Sequence, residues 1–98
     1  MKLSIVIPAF NEEKLLASCL RSVQAALATG LRPGWASEVV VCDNNSTDKT
    51  PEIARAEGAQ VVFEPHNQIS RARNTGAKAA SGDWLLFIDA DSILDPKV

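Results

Sequence analysis

The chain of 98 residues has few cysteines, and their spacing argues against a disulfide or thiolate framework. Cys19 and Cys42 stand far apart and no CxxC pair occurs. Cys19 falls on the apolar stripe of a helical pattern, and Cys42 ends an apolar run with the composition of a strand. We therefore expect both to be reduced core residues, as in a cytosolic protein.

The chain also has no excess of basic charge and no long apolar run. Ten basic and twelve acidic residues give a net charge of −2, so no broad basic surface is implied and nucleic acid is not an expected partner. No segment reaches the roughly 18 apolar residues of a membrane helix, and Pro8 interrupts the apolar stretch after Lys2 before it resembles a signal peptide. We expect a soluble, cytoplasmic chain, with peripheral attachment at the inner face of the membrane as the alternative.

Several nucleotide and metal motifs are missing. No GxGxxG and no Walker A sequence occurs, so a dinucleotide cofactor or a P-loop NTPase is not supported. The segment 89–93 is a poor EF-hand, because Ile93 stands where a third oxygen ligand is needed and the loop glycine is absent.

The order of apolar and polar segments predicts four strands that alternate with three helices. The strands are expected at residues 3–7, 38–42, 60–63 and 84–88, the last as a buried strand. Asn11 is expected to cap the first helix, Thr50 the second, and residues 69–80 form the third. Short β-α connections predict an α/β fold, namely a Rossmann-like parallel sheet of about four strands with helices on both faces.

Polar residues cluster where these strands end. Asp89 and Asp91 directly follow the apolar run 84–88, and further clusters lie at residues 8–12 and 43–48. Parallel strands place their carboxyl ends at one edge of the sheet, where ligands bind in open α/β folds. Two carboxylates this close repel unless a cation or a proton lies between them. The pattern predicts an oxygen-ligand site for Mg²⁺ or Mn²⁺, shared with a phosphate.

Four segments together resemble the family 2 glycosyltransferases of the GT-A fold. They are SIVIPAFNE at 4–12, VVCDNNSTD at 40–48, ARNTG at 72–76 and GDWLLFIDAD at 82–91. The resemblance implies that residues 1–98 are the nucleotide-sugar-binding part of such a domain, the N-terminal half of a GT-A fold, without the acceptor-binding half. It also implies a nucleotide-diphosphate sugar donor and a DXD motif with Mn²⁺ or Mg²⁺.

The same resemblance implies a set of site residues. The donor site would comprise Pro8, Ala9, Phe10, Glu12, Asp43, Asn44, Arg73, Asp89, Ala90 and Asp91. Asp43 or Asn44 would meet the base, Arg73 would lie near the diphosphate or brace the acidic loop, and Asp89 would contact the ribose or the water shell of the metal. Asp91 would bind the metal directly. Many members carry a second acid where this chain has Asn44, which leaves the base open between uracil and guanine.

The implied reaction is inverting sugar transfer, in which an acceptor nucleophile attacks the anomeric carbon and nucleoside diphosphate leaves. The general base of the family lies downstream, so no catalytic residue is assigned here and the isolated 98 residues are expected to transfer no sugar. The acceptor is not defined by the sequence. A half-fold leaves apolar faces open, and we therefore expect self-association.

Two other interpretations of Asp89 and Asp91 are retained. The segment 86–92 also resembles the first motif of haloacid-dehalogenase-type phosphatases, in which Asp89 would be the nucleophile and Asp91 the acid/base. The chain could also hold nucleotide and metal without catalysis. As a purely structural alternative, the segment 43–48 could be only a hydrogen-bonded turn.

Overall fold

The computed structural model describes residues 1–93, and these form one parallel sheet flanked by helices. The elements follow the order β1 (Lys2–Ala9), α1 (Leu16–Gly30), β2 (Ala36–Asp43), α2 (Thr50–Ala56), β3 (Gln60–Phe63), α3 (Ile69–Ala79) and β4 (Trp84–Phe87). The strands are arranged β3-β2-β1-β4, and all three pairings are parallel. The predicted α/β architecture is confirmed.

Helices cover both faces of the sheet. The apolar stripe of α1, which includes Leu16, Cys19 and Leu20, packs with Ile5 and Ile7 of β1, and α2 joins this face through its own buried alanine. On the other face α3 crosses β1 and β2 so closely that a Cβ added at Gly76 would lie 2.5 Å from Val6 Cγ1. The central strand β1 is therefore covered on both sides. Cys19 and Cys42 are buried and free, as predicted.

The prediction of a buried fourth strand is wrong. β4 pairs only with β1, and its four side chains are between 43% and 57% exposed. An apolar run predicts a strand, but burial also requires neighbours, and within residues 1–93 no further strand pairs with the free edge of β4. Trp84, Leu85, Leu86 and Phe87 thus form an open apolar edge, which we call the β4 edge.

Two helix starts also differ from the prediction. Asn11 does not cap α1, which begins at Leu16 after a turn closed by the carbonyl of Glu12. Asn11 instead has a left-handed backbone (φ 52°), and its Oδ1 accepts a hydrogen bond from Thr47 N at 2.8 Å. Thr50 is the first residue of α2 rather than its cap, and its hydroxyl accepts a hydrogen bond from Glu12 N at 2.9 Å.

A polar network fixes the amino-terminal edge of the sheet. The fully buried Ser4 donates its hydroxyl to Glu38 Oε2 at 2.6 Å and accepts a hydrogen bond from Gly82 N at 2.8 Å. Ser81 N also donates to Glu38 Oε2, at 2.6 Å, and Lys2 Nζ lies 3.5 Å from Glu38 Oε1. This Ser4–Glu38 network ties the segment before β4 to β1 and β2. Among the helices of residues 1–93, none is long and apolar enough to cross a membrane.

Candidate functional site

A cleft of about 340 Å³ opens at the carboxyl edge of the sheet. Its lining comes from the ends of β1, β2 and β4 and from the start of α3. The lining residues are Pro8, Ala9, Phe10, Glu12, Asn44, Ile69, Asp89, Ala90 and Asp91. The loops after β1, β2 and β4 thus converge at one edge, as the parallel arrangement predicts.

The acidic loop after β4 is held by its backbone, which leaves its carboxylates exposed. Ile88 N donates to Val6 O at 3.1 Å, so pairing with β1 continues one residue beyond the strand. The Cys19 thiol lies 3.6 Å from Asp89 O, and Ala90 is buried. These contacts hold the main chain of the loop in place, while the side chains of Asp89 and Asp91 are exposed in the cleft.

Glu12 brings a third carboxylate into the cleft. Partial burial, followed by the negative charges of Asp91 and Asp48, raises the pKa of Glu12 above its ordinary value. Burial and like charges both disfavour the ionised form of this carboxylate, so both raise the pKa. The cleft is therefore a region of concentrated negative potential, suited to a cation.

The donor set of the cleft fits a hard divalent cation only in part. All its charged groups are carboxylates, which are ligands that Mg²⁺ and Mn²⁺ favour. Within residues 1–93, however, no three His, Cys, Asp or Glu side chains are grouped closely enough to hold a metal ion. Mg²⁺ is commonly held by one or two carboxylates together with phosphates and water. The residues present fit such a shared site and not a cage made by protein alone.

Asn44 has a side chain whose orientation is fixed by the loop after β3. It is 5% exposed, and its Nδ2 donates to Glu64 O at 3.1 Å and to His66 O at 2.5 Å. Asn67 Nδ2 in turn donates to Asn44 O at 2.6 Å. Both amide hydrogens are therefore used within the protein, and Oδ1 is the side-chain atom that remains to accept a hydrogen bond. A carboxylate could not make the two bonds to carbonyl oxygens.

Two predicted site residues lie outside the lining. Asp43 is buried at the end of β2, where its Oδ1 accepts a hydrogen bond from Ser46 N at 3.1 Å and closes the turn. Arg73 lies exposed on α3 and does not line the cleft. Ile69, 57% exposed, lines the cleft although it was not predicted to do so. An apolar residue at the start of a helical pattern gives no sequence signal that separates a cleft wall from a core position.

Comparison with known proteins identifies the chain's relatives. The sequence model of glycosyl transferase family 2 matches residues 4–98. An uncharacterized glycosyltransferase of Mycobacterium tuberculosis is 39% identical over 92 residues, which cover 94% of this chain and 38% of that protein. The chain thus spans little more than a third of the length of this relative.

Solved structures show the same fold. S. aureus TarS 1–349 in complex with UDP-GlcNAc superposes with a TM-score of 0.80 and 31% identity, over 99% of this chain and 28% of that one. Glucosyl-3-phosphoglycerate synthase from M. tuberculosis, in complex with Mn²⁺, UDP and glucosyl-3-phosphoglycerate, gives a TM-score of 0.75 and 33% identity, over 91% of this chain and 33% of that one. The predicted GT-A fold is confirmed, and with the family match over residues 4–98 the chain belongs to glycosyl transferase family 2.

Proposed function

We propose that residues 1–98 are the donor-binding part of an inverting glycosyltransferase that uses a nucleotide-diphosphate sugar and a divalent metal ion. The observation that carries the proposal is the convergence of Glu12, Asn44, Asp89 and Asp91 on one cleft at the carboxyl edge of the sheet. Family membership supports nucleotide-sugar chemistry and favours it over the phosphatase interpretation of Asp89. The complexes of the structural relatives with UDP-GlcNAc, and with UDP and Mn²⁺, give further support.

Each part of the cleft suits one part of such a donor. Asp91 would ligate the metal, and Asp89 would contact the ribose or the metal's water shell. Phe10, 49% exposed, and Ile69 offer apolar surface to a base. When bound, Mn²⁺ or Mg²⁺ would neutralise the charge that grows on the leaving diphosphate. The protein's part is to hold the donor so that its anomeric carbon faces an acceptor hydroxyl, which lowers the entropic barrier.

The fixed amide of Asn44 favours a base with a ring N–H. Because Nδ2 is used by Glu64 O and His66 O, the Asn44 side chain has only an acceptor left to offer to a base. Uracil and guanine carry a ring N–H donor at the centre of their pairing edge, whereas cytosine and adenine have an acceptor ring nitrogen there and donate only from an exocyclic amine. We infer that UDP- or GDP-linked donors bind in preference to CDP- or ADP-linked ones.

The acceptor-binding part and the general base belong, in this proposal, to sequence outside residues 1–98. The relatives are more than twice as long as the region they share with this chain. The β4 edge is the apolar surface that such a part would cover. The 98-residue chain alone would then bind donor without transferring sugar, which is also what the non-catalytic interpretation expects of this fragment.

Isothermal titration of the 98-residue chain with nucleoside diphosphates, with and without Mn²⁺, tests the proposal. We expect UDP or GDP to bind more tightly with Mn²⁺, and CDP and ADP to bind about tenfold more weakly, since each mismatch leaves one buried polar group unpaired. Asp91→Asn should lose the Mn²⁺-dependent gain and keep much of the base-driven affinity. Asp83→Asn, the same change at the opposite edge of the sheet, is the matched control.

The proposal fails in distinct ways. If no diphosphate binds, these residues do not form a donor site. If Asp91→Asn and the wild type gain equally from Mn²⁺, Asp91 is not a metal ligand. If CDP binds as tightly as UDP and GDP, Asn44 does not select the base.

A further inference from the structure

We propose that Thr50 and Asp48, which lie outside the cleft, are positioning residues for the donor, because they hold the loop that carries Phe10 and Glu12. The inference rests on the proposed donor site and adds residues that do not themselves contact the donor. Neither Thr50 nor Asp48 lines the cleft. Their side chains act instead on the main chain of the loop between β1 and α1.

Five hydrogen bonds from backbone N–H groups join the segment after β1 to the segment after β2, and we call this set the loop clasp. It joins residues 11–13 to residues 46–50. The bonds are Asn11 N to Ser46 Oγ (3.0 Å), Glu12 N to Thr50 Oγ1 (2.9 Å), Glu13 N to Asp48 Oδ2 (3.2 Å), Thr47 N to Asn11 Oδ1 (2.8 Å) and Lys49 N to Glu13 Oε2 (3.2 Å).

The clasp is needed because α1 begins late. Three consecutive backbone N–H groups at residues 11–13 precede the first helical residue, Leu16, and each is satisfied by a side chain of the other loop. If a helix followed the strand directly, the helix's own capping residue would have to accept hydrogen bonds from these N–H groups. Here the neighbouring loop supplies the acceptors, so the path of the first loop depends on the second.

Thr50 is the centre of the clasp. It is fully buried, and its hydroxyl accepts from Glu12 N while donating to Asp48 Oδ1 at 2.5 Å. Asp48 Oδ1 also accepts from Thr50 N at 2.9 Å, which fixes the carboxylate whose other oxygen holds Glu13 N. One buried hydroxyl therefore connects both acidic residues of the first loop to the start of α2.

This connection matters for the cleft because it holds Glu12 in place against electrostatic repulsion from neighbouring carboxylates. Its carboxylate lies near the negative charges of Asp91 and Asp48. A free loop would move Glu12 towards solvent, and the Phe10 ring two residues earlier would move with it. The clasp keeps both side chains in the cleft before any ligand arrives, which is preorganisation for the donor.

Thr50→Val tests the inference, since it keeps the shape of the side chain and removes the hydroxyl. We expect UDP affinity to fall about tenfold, the equivalent of one hydrogen bond of about 1.4 kcal/mol. The hydrogen-exchange rate of the Glu12 amide, measured by NMR in the ligand-free chain, should rise by a similar factor. Thr50→Ser keeps the hydroxyl, so its UDP affinity and its Glu12 exchange rate should match those of the wild type.

Ser4→Ala is the matched control. Ser4 is also fully buried, and its hydroxyl also accepts from a backbone N–H and donates to a carboxylate, but at the amino-terminal edge. We expect it to lower stability and speed exchange of Gly82 N–H while leaving UDP affinity of the folded protein unchanged. Asp48→Asn, which replaces one acceptor oxygen by a donor, provides a second variant if Thr50→Val does not fold.

The possible failures are separable. If Glu12 N–H stays protected in Thr50→Val and Glu13 N–H stays protected in Asp48→Asn, the clasp does not hold the loop and the inference is overturned. If the amide is released but UDP binds unchanged, or if Ser4→Ala weakens UDP equally, the clasp is structural and does not position the donor. If the wild type binds no diphosphate, the proposed function has failed, and the exchange data alone decide whether the loop is held.

Discussion

Gly82 is the position where a single methyl group should do most damage to the sheet. A Cβ at this position would meet Ser4 Oγ, and it would lie 2.8 Å from Ser4 N and 3.0 Å from Lys2 O. Two of these three atoms are backbone of the central strand β1, which cannot move without disturbing its pairing with β2. In Gly82→Ala the segment before β4 must therefore shift away from β1.

The loss in free energy of unfolding follows from the contacts that this shift disturbs. Overpacking at a site that cannot relax costs about 1–3 kcal/mol. Two hydrogen bonds cross this contact, Gly82 N to Ser4 Oγ at 2.8 Å and Asp83 N to Lys2 O at 2.8 Å. Each is worth about 0.5–1.5 kcal/mol. We expect a loss of about 2–6 kcal/mol, a large part of the roughly 5–15 kcal/mol that stabilises a domain.

Urea unfolding, followed by circular dichroism and by tryptophan fluorescence, measures this loss. Trp84 lies two residues from the substitution and reports on β4. Gly30→Ala is the matched control, because a Cβ there meets no atom within 4 Å and its backbone is not left-handed. Alanine at that helical position should be neutral or stabilise by up to about 1 kcal/mol. Equal unfolding midpoints for the two variants would refute the steric reasoning.

Two further predictions concern the edges of the sheet. Hydrogen bonds from Ser4, then from Ser81, hold the pKa of Glu38 below its ordinary value. The ionised carboxylate therefore stabilises the fold above the unfolded pKa, and this contribution is lost as the pH falls through the lowered folded value. Glu38→Gln should therefore destabilise at neutral pH, and its difference from wild type should shrink below about pH 4 in urea titrations; a difference that stays constant to low pH would contradict the linkage. The β4 edge should drive self-association, which sedimentation velocity would show as species larger than the 10.5 kDa chain, and Leu86→Lys should reduce it. A strictly monomeric wild-type profile would contradict this expectation.

Sequence patterns predicted the features of this fold that depend on periodicity and order. The helical spacing of Leu15, Leu16, Cys19, Leu20, Val23 and Leu27 predicted one apolar face, of which Leu16, Cys19, Leu20 and Val23 are buried while Leu15 is exposed. The alternation of strands and helices predicted the parallel sheet. The positions of polar clusters after the strands gave the edge where the cleft lies. These inferences succeed because side-chain periodicity and parallel connection are local properties of the chain.

The errors have one physical origin, which is contact between segments far apart in sequence. Asn11 has the residue type of a helix cap, but its side-chain Oδ1 accepts a hydrogen bond from Thr47 N in another loop. The apolar run of β4 has the composition of a buried strand, yet burial depends on what lies beside it. The bonds from Asn44 Nδ2 to Glu64 O and His66 O likewise involve residues about twenty positions away, which no local pattern predicts.

The strand order also has a consequence for how the molecule assembles. β1 precedes the other three strands of this sheet in the sequence, yet one of its neighbours is β4, and the bond from Lys2 N to Asp83 Oδ2 closes a separation of 81 residues. Such a closure carries a large entropic cost, and proteins rich in long-range pairings fold slowly. The centre of the sheet can therefore be completed only when synthesis has passed β4, and until then β1 exposes an unpaired edge on which a chaperone could act.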